Sequence, residues 1–326
     1  MQRRLLDLLR CPHCRGDLVL TAAVEADREV ERGELDCPSC GRRYPIIDSV
    51  PRFVPAANYA ESFGWQWNQF RRTQLDSYSG HPISRDRFFR QSGWRPADLA
   101  RRRVLDVGCG AGRFAEVALA CGAEVVAVDY SSAVDACWRN LGPHANLSVV
   151  QADIYRLPFA LNQFDYVYCF GVLQHTPDVK GAFLALPAQL RDGGRLAVDI
   201  YPRQARNILW PKYWLRHLTK RVPAEQLFRV VQRAVPILWP VSVAVGRLPV
   251  IGRKLRYAIP VMNYEGVYPL SPAQLREWAV LDTLDMLAPA HDSPQSVATL
   301  RAWFALAGLR DIEVFRAGLV IGRGTR

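Results

Sequence analysis

The feature that most constrains the fold is a short apolar segment that runs directly into a glycine-rich loop. Residues 104–107 read V-L-D-V, which predicts a buried parallel strand, and residues 114–120 have the pattern of the helix that follows such a turn. The loop between them places Gly108, Gly110 and Gly112 as G-x-G-x-G. Because Arg113 stands where the fingerprint G-x-G-x-x-G needs its last glycine, the loop disfavours a dinucleotide-binding site. The segment still predicts an α/β sheet with a ligand at its strand ends.

Four later segments extend the strand pattern, at residues 124–129, 149–153, 164–169 and 196–200. The first ends in Asp129, 17 residues after Gly112, where a carboxylate can accept from both ribose hydroxyls. The second ends in Asp153 and is followed by Ile154, a pair that suits an adenine amine and its ring face. Each acid also has a local explanation as a helix cap or turn residue. Together they predict a nucleoside-containing ligand.

The motifs D-V-G-C-G-A-G, V-D-Y-S, A-D-I-Y-R-L-P-F, F-D-Y-V and G-V-L-Q-H-T-P follow one another along the chain. In order and spacing they resemble the class I S-adenosylmethionine-dependent methyltransferases. The resemblance implies a Rossmann-like, seven-stranded α/β sheet, with Asp106 and the glycine loop on the methionine portion, Asp129 on the ribose, and the Asp-Ile pair on the adenine. The expected cofactor-binding residues are Asp106, Gly108, Gly110, Gly112, Asp129, Tyr130, Asp153, Ile154 and Gly171.

His175 is the candidate catalytic residue. It lies just after the fourth strand, where the methyl end of the cofactor usually points in this fold. A sulfonium already activates the methyl group, so the protein mainly aligns the reactants, but a hydroxyl acceptor also needs a base. Gln174 precedes His175, which excludes the two-histidine pair of many relatives. The alternative is that His175 only hydrogen-bonds its own loop.

Two C-x-x-C pairs near the N-terminus predict a metal site. Cys11, Cys14, Cys37 and Cys40 can close a tetrahedron around Zn²⁺, and we expect Gly16 and Gly41 to supply permissive backbone. The first 55 residues or so resemble the small zinc-ribbon proteins that activate tRNA and release-factor methyltransferases. A related ribbon precedes a bacterial rRNA guanine methyltransferase, which would imply RNA contact. Here residues 1–60 carry 9 basic and 9 acidic side chains, which favours a structural zinc over a phosphate-binding surface.

The net charge of +11 comes from one stretch, since residues 201–260 hold 12 basic side chains and one acidic. This stretch lies in an insertion at 201–293, after the fifth strand and before the closing helix and strand hairpin. Aromatic and basic residues alternate in it from Trp210 to Tyr257, and Arg216, Arg229 and Arg233 are expected to act on the acceptor. Base stacking, contact with anionic headgroups or a phosphorylated acceptor, and a solvated helical cap all remain open.

Within the insertion, the block from Glu277 to Gln295 is unusually acidic and polar and resembles a segment of uncharacterised bacterial methyltransferases. It contributes four acceptor-site candidates, Asp282, Asp285, His291 and Asp292, although capping and turns explain part of the pattern. The predicted organisation is a ribbon at 1–57, a leading segment at 58–97 that closes the cofactor site, and a methyltransferase domain at 98–326 that contains the insertion.

The leading functional hypothesis is a cytoplasmic methyltransferase that uses S-adenosylmethionine and a structural Zn²⁺. Its acceptor would be a hydroxyl or amine of a small or carrier-linked metabolite, with an anionic acceptor left open. An RNA base methyltransferase and a non-catalytic adaptor for another methyltransferase are the alternatives. Residues 234–251 are apolar but contain three prolines and Arg247, which predicts packed helix and turn rather than a transmembrane segment, with peripheral membrane contact left open.

Overall fold

The structure is a computed structural model that describes residues 1–26, 29–55, 58–142, 144–204 and 211–326. A few residues of the aromatic and basic alternation fall outside these ranges or have side chains that do: Trp210, Lys212, Tyr213, Arg253, Lys254 and Tyr257. The described chain forms a small four-stranded sheet, a seven-stranded sheet with helices on both faces, and a helical cap.

The larger sheet confirms the predicted fold class. Counted along the chain its strands are β5 to β11, and their order in space is β10-β11-β9-β8-β5-β6-β7. All neighbouring pairs from β7 to β9 are parallel, and β11 runs antiparallel to β9 and β10. The strands are β5 Arg103–Val107, β6 Glu124–Asp129, β7 Leu147–Gln151, β8 Phe164–Cys169, β9 Leu190–Ile200, β10 Arg310–Ala317 and β11 Leu319–Thr325.

Two strand boundaries differ from the prediction. The strand β7 ends at Gln151, so Asp153 lies beyond the sheet and caps a short 3-10 turn at Ile154–Arg156. The strand β9 begins at Leu190, so the predicted turn at R-D-G-G is a register shift within one long strand that pairs Leu190 with Phe164 and Arg195 with Tyr166. Such a bulge bends a strand without ending it.

The N-terminal sheet consists of β1 Val19–Ala26, β2 Glu29–Asp36, β3 Arg43–Ile47 and β4 Val50–Pro51. It does not form a separate core. Its buried apolar residues, among them Leu9 and Leu35, belong to the same hydrophobic cluster as Val107, Val150 and Phe159 of the larger sheet. The ribbon and the methyltransferase domain therefore fold as one packed body.

Helices cover the strand ends. The leading segment supplies α1 Glu61–Gln69, α2 Asp76–Ser79, α3 Ile83–Ser92 and α4 Pro96–Leu99, and the sheet is flanked by α5 Arg113–Ala120, α6 Ala133–Leu141, α7 Val179–Ala185 and α12 Val297–Leu306. The insertion supplies α8 Pro211–Thr219, α9 Ala224–Gly246, α10 Gly252–Leu255 and α11 Pro272–Leu287. The Ser271 hydroxyl caps α11 by accepting from the Gln274 amide.

The helix α9 departs from the expected packed helix and turn. It runs unbroken for 23 residues and contains Pro236 and Pro240 in its interior. Each proline removes one backbone donor, a loss of about 3 kcal/mol in an isolated helix, so tertiary packing must maintain the helix here. That packing comes from Leu227, Val231 and Val235, which share a cluster with residues of α11.

Candidate active site

A cavity of about 620 Å³ opens at the carboxyl ends of β5, β6 and β8. Ligands in open α/β sheets occupy this edge, and the volume lies within the usual range for small-molecule sites. The leading segment forms one wall through Tyr59, Phe63 and Trp67, and the insertion forms the opposite wall through residues such as Tyr264 and Asp282. Residues of the leading segment and of the insertion therefore both line this cavity.

The glycine loop that lines this cavity requires glycine for steric reasons. Gly108, Gly110 and Gly112 all adopt the left-handed backbone region, with φ of 82°, 52° and 92°. A Cβ on Gly108 would also lie 2.2 Å from a methyl carbon of Val172. Gly108 and Gly110 lie on the cavity wall, whereas Gly112 is the residue that precedes α5 and faces Leu141.

Asp129 lies on the cavity wall at the end of β6. Its Oδ2 accepts from the Gly110 amide at 2.9 Å, and its Oδ1 accepts from the Ser131 amide and hydroxyl at 2.8 and 2.7 Å. Burial raises the pKa of this carboxyl, while those hydrogen bonds oppose the rise. Asp129 therefore braces the glycine loop against β6, and its local turn role leaves lone pairs that could accept from hydroxyl donors.

Asp106 lies beneath the loop rather than on the cavity wall. It is 2% exposed, and within the described residues its Oδ2 has no hydrogen-bond partner. Burial, reinforced by the charge of Asp129, raises its pKa to about 8. A buried carboxyl oxygen without a donor is a polar position that an amino group or a bridging water would satisfy.

Of the two residues that were predicted to contact an adenine, only one lines the cavity. Ile154 lines the cavity, but the Asp153 Oδ1 accepts from the Tyr155 amide at 3.0 Å and caps the 3-10 turn, outside the cavity lining. Tyr130 and Gly171 do line the cavity. The glycine loop, Asp129, Tyr130 and Ile154 supply a carboxylate, backbone amides and an apolar face, a set that fits a nucleoside with a charged tail.

His175 is held in one tautomer. Its Nδ1 lies 2.9 Å from the backbone oxygen of His291, and because a carbonyl can only accept, Nδ1 carries the proton. In the neutral ring Nε2 then holds a lone pair. The ring lines the cavity and packs against Phe63 and Tyr201, with ring centroids 5.1 and 5.5 Å away. This geometry leaves one nitrogen available as a proton acceptor.

The loop that carries His291 is fixed by its neighbours. The Ser293 amide donates to the Gln174 carbonyl at 2.8 Å, and Arg216 forms a buried ion pair with Asp292 and donates to the Pro289 carbonyl. His291 contributes its backbone oxygen to His175, while its ring packs edge-on against Tyr59. Of the four acceptor candidates, Asp282, Asp285 and Asp292 line the cavity and His291 does not.

Three further residues of the cavity wall form long-range polar contacts; Arg87 belongs to the leading segment expected at this wall, whereas Arg113 and Tyr264 were not expected there. Arg87 is ion-paired with Asp199 at 3.0 Å, Arg113 donates to Gln74 and Ser84, and Tyr264 donates to Asp282. Burial lowers the pKa of Arg113 to about 10 and raises that of Asp282 to about 6, with Asp285 adding to the latter. Their sequence signals are weak because the partners of each lie 18 to 112 residues away.

The basic residues of the insertion differ in whether they line the cavity. Arg216 is 8% exposed and lies on the cavity wall, whereas Arg229 and Arg233 are exposed on α9 and outside the cavity lining. The expectation that all three act on the acceptor is therefore supported by position for Arg216 only. Among the basic side chains of residues 201–260 that the structure describes, most are exposed.

The four ribbon cysteines converge. The Sγ atoms of Cys11, Cys14, Cys37 and Cys40 all lie within 4.8 Å of one another. A tetrahedral zinc site with Zn–S bonds of 2.3 Å requires S–S distances of about 3.8 Å, and the Cys11–Cys40 distance is 3.7 Å. The donor set therefore fits a structural Zn²⁺.

The backbone of the two knuckles corrects one prediction. Gly41 adopts the left-handed region with φ of 70°, but the equivalent position in the first knuckle is Arg15, with φ of 66°, and not Gly16. Both left-handed residues donate to the first cysteine of their knuckle at 2.8 Å. Arg15 also donates to the carbonyls of Leu157 and Phe159, which ties the ribbon to the methyltransferase domain.

The strand order and the glycine loop define a class I methyltransferase domain. The family model described as methyltransferase domain matches residues 105–198, and the one described as Trm112p-like protein matches residues 2–49. The chain thus contains a segment that matches a methyltransferase domain, preceded by a segment that matches a Trm112p-like zinc ribbon.

Several curated proteins are similar to parts of the chain. A ubiquinone biosynthesis O-methyltransferase of Aromatoleum aromaticum is 29% identical over 133 residues, which is 40% of this chain and 56% of that protein. One of Thiobacillus denitrificans is 30% identical over 131 residues, 39% of this chain and 56% of that protein. An uncharacterised protein of Synechococcus is 28% identical over 66% of this chain and 49% of its own length. The chain spans about half the length of these relatives.

Among solved structures, the complex of the Haloferax volcanii Trm112 methyltransferase activator with a putative methyltransferase has a TM-score of 0.46 and 14% identity, covering 81% of this chain and 97% of that one. The magnesium protoporphyrin IX methyltransferase of Synechocystis has a TM-score of 0.44 and 15% identity, covering 82% and 96%.

Proposed function

We propose that this chain transfers a methyl group from S-adenosylmethionine to a hydroxyl of a small or carrier-linked metabolite, with His175 as the general base. The observation that carries the proposal is the bond from His175 Nδ1 to the His291 carbonyl, which leaves Nε2 free to accept a proton. The relatives named as O-methyltransferases favour oxygen over nitrogen as the acceptor atom.

The cofactor would be held by the glycine loop, Asp129, Tyr130 and Ile154, and it supplies a methyl group activated on a sulfonium. Asp106, Asp153 and Gly171 remain predicted contributors. The acceptor would enter between the leading segment and the insertion at 201–293. Enclosure by both walls excludes water and aligns the acceptor oxygen with the methyl carbon, an effect worth up to about 7 to 11 kcal/mol of the barrier.

The chain's own residues would then remove the proton of the acceptor hydroxyl. As the acceptor oxygen bonds to the methyl carbon, the carbon–sulfur bond breaks with its electron pair on sulfur, and the hydroxyl proton passes to His175 Nε2. The resulting imidazolium would keep its Nδ1 bond to the His291 carbonyl. Arg216 and Asp292 would support that carbonyl by fixing its loop.

The acceptor class is tested by incubating the protein with methyl-labelled S-adenosylmethionine and fractionated cell extract. Label in the small-molecule or lipid fraction supports the proposal. Label in RNA would establish the base methyltransferase alternative instead, and transfer to no fraction would favour the adaptor.

The base is tested with His175→Asn and the control His291→Ala. Removing a general base lowers turnover by about 10²- to 10⁴-fold, so His175→Asn should lose turnover on that scale while it still binds the cofactor. His291→Ala keeps the backbone oxygen and should retain most activity. Full turnover by His175→Asn would refute the role.

A further inference from the structure

The helix α9 has two apolar faces, and only one of them is covered. Its inner face packs Leu227, Val231 and Val235 against α11. Its outer face carries Val230 and Ile237, which are 61% and 71% exposed, and continues to Val241. These outer residues recur at intervals of seven and four, so they form one stripe along the helix.

This exposure is unusual for so apolar a helix. The structure contains one helix of sufficient length and apolar composition to cross a membrane, within the described residues, and it is α9. Only 17% of its most apolar window is buried. A core helix of a globular protein would be mostly buried, so the outer stripe calls for a partner outside the described chain.

The tip that follows α9 extends the same kind of surface. Leu248, Val250 and Ile251 are all exposed, and Val250 is 97% exposed. Val250 also adopts the left-handed backbone region with φ of 66°, which is rare for a β-branched residue. A strained turn therefore presents an apolar side chain to the surroundings.

Positive charge runs beside the apolar stripe. Arg229, Arg233 and Arg247 recur at intervals of four and fourteen residues and lie roughly 80° around the helix from the stripe. All three are exposed. Arg229 and Arg247 form surface ion pairs with Glu225 and Glu265, but the surrounding sixty residues still hold 12 basic side chains and one acidic. An apolar stripe flanked by arginines is the pattern of a helix that lies in the interface of an anionic lipid bilayer.

We propose that the outer stripe of α9 and the tip at 248–251 dock this protein onto an anionic membrane surface, with α9 parallel to the bilayer plane. The inner stripe stays packed on α11, which is why the helix lies on the bilayer rather than across it. A second copy of the chain is a poorer occupant, because residues 201–260 hold one acidic side chain and so offer the arginines of a partner copy little opposite charge. Docking would bring to the lipid surface the insertion that also lines the cavity.

The test is flotation of the purified full chain with vesicles of phosphatidylcholine alone or with 30% phosphatidylglycerol. We expect binding to the anionic vesicles that weakens with salt, and at least tenfold weaker binding for Ile237→Ser/Val241→Ser. Leu161→Ser is the matched control, since Leu161 is 53% exposed and lies far along the chain from α9. Arg233→Gln should weaken binding to anionic vesicles and leave the weak binding to neutral vesicles unchanged.

Circular dichroism and sedimentation accompany the flotation so that misfolding and self-association are seen. The proposal fails if the folded wild-type chain does not float with anionic vesicles, or if the double variant binds as well as Leu161→Ser. It also fails if the double variant only converts a dimer to a monomer. Resistance of the bound protein to alkaline carbonate extraction would contradict docking parallel to the surface.

Discussion

The ribbon and the insertion are both additions to the same methyltransferase sheet, but they meet their surroundings in opposite ways. The ribbon is electrically neutral and buries its apolar residues in the core of the larger sheet. The insertion carries nearly all of the net charge and leaves the outer stripe of α9 exposed. An added segment that buries its apolar residues in its own chain contributes to stability. An added segment that leaves apolar residues exposed is a candidate surface for binding a partner.

Beyond the shared core, backbone and side-chain hydrogen bonds join the ribbon to the sheet. The Arg10 amide donates to the Pro158 carbonyl at 2.8 Å, and the Ala160 amide donates to the Leu8 carbonyl at 2.8 Å. At the other end, Arg52 donates to Gln151 and is ion-paired with Asp135 at 2.5 Å. Hydrogen bonds at both ends fix the ribbon's orientation, so its metal is expected to support the whole chain.

The largest expected effect follows from removing that metal. Structural zinc contributes on the order of 10 kcal/mol to the folding of small zinc domains. Cys37→Ser should lose the bound zinc and lower the melting temperature by at least about 10 °C, because ribbon and sheet share one core. Elemental analysis and calorimetry measure both quantities.

Cys121→Ser is the control for that variant, since Cys121 is half-buried and lies outside the cluster. If Cys37→Ser kept the sheet's full stability while losing zinc, the ribbon would be an independent domain. The ribbon would then not be an integral part of the larger fold, and its contrast with the exposed insertion would be wrong.

A smaller effect is expected at Arg15, where side chain and backbone act in opposite directions. Arg15→Ala removes two hydrogen bonds to the sheet and keeps the unfavourable φ, so it should cost about 1 to 2 kcal/mol in urea unfolding. Arg15→Gly loses the same bonds but relieves the left-handed backbone, and should be less destabilising than Arg15→Ala. Equal stability of Arg15→Ala and wild type would show that these bonds do not secure the ribbon.

Local features of the fold were predictable from the sequence. The glycine loop, the strand that ends in Asp129 and the four cysteines depend on neighbouring residues, and the structure shows each as expected. Asp153 was assigned to the end of a strand, yet β7 stops at Gln151 and the carboxylate caps a turn. Because the predicted strand was two residues too long, Asp153 was expected to contact the cofactor, whereas it lies outside the cavity lining.

Features that depend on distant contacts were not predictable. In the sequence, Arg113 was notable only because it replaces the last glycine of the dinucleotide-binding fingerprint. The structure shows that its side chain donates hydrogen bonds to Gln74 and Ser84 of the leading segment. Likewise, Pro236 and Pro240 suggested an interrupted helix, whereas packing on α11 maintains one continuous helix. The charge surplus is visible in the sequence. Only the structure shows that most of its described side chains are exposed outside the cavity lining.

Between the leading segment and the insertion lies the cavity on which the whole account depends, and calorimetric titration with S-adenosylmethionine tests it most directly. We expect the wild-type chain to bind one equivalent. Asp129→Ala should bind at least about tenfold more weakly, because hydrogen bonds to a charged group contribute about 1.5 to 3 kcal/mol, while its circular dichroism stays native. Asp129→Asn, which keeps one acceptor oxygen, should fall between the two. No binding by the wild type, or equal affinity in Asp129→Ala, would contradict the assignment of this cavity.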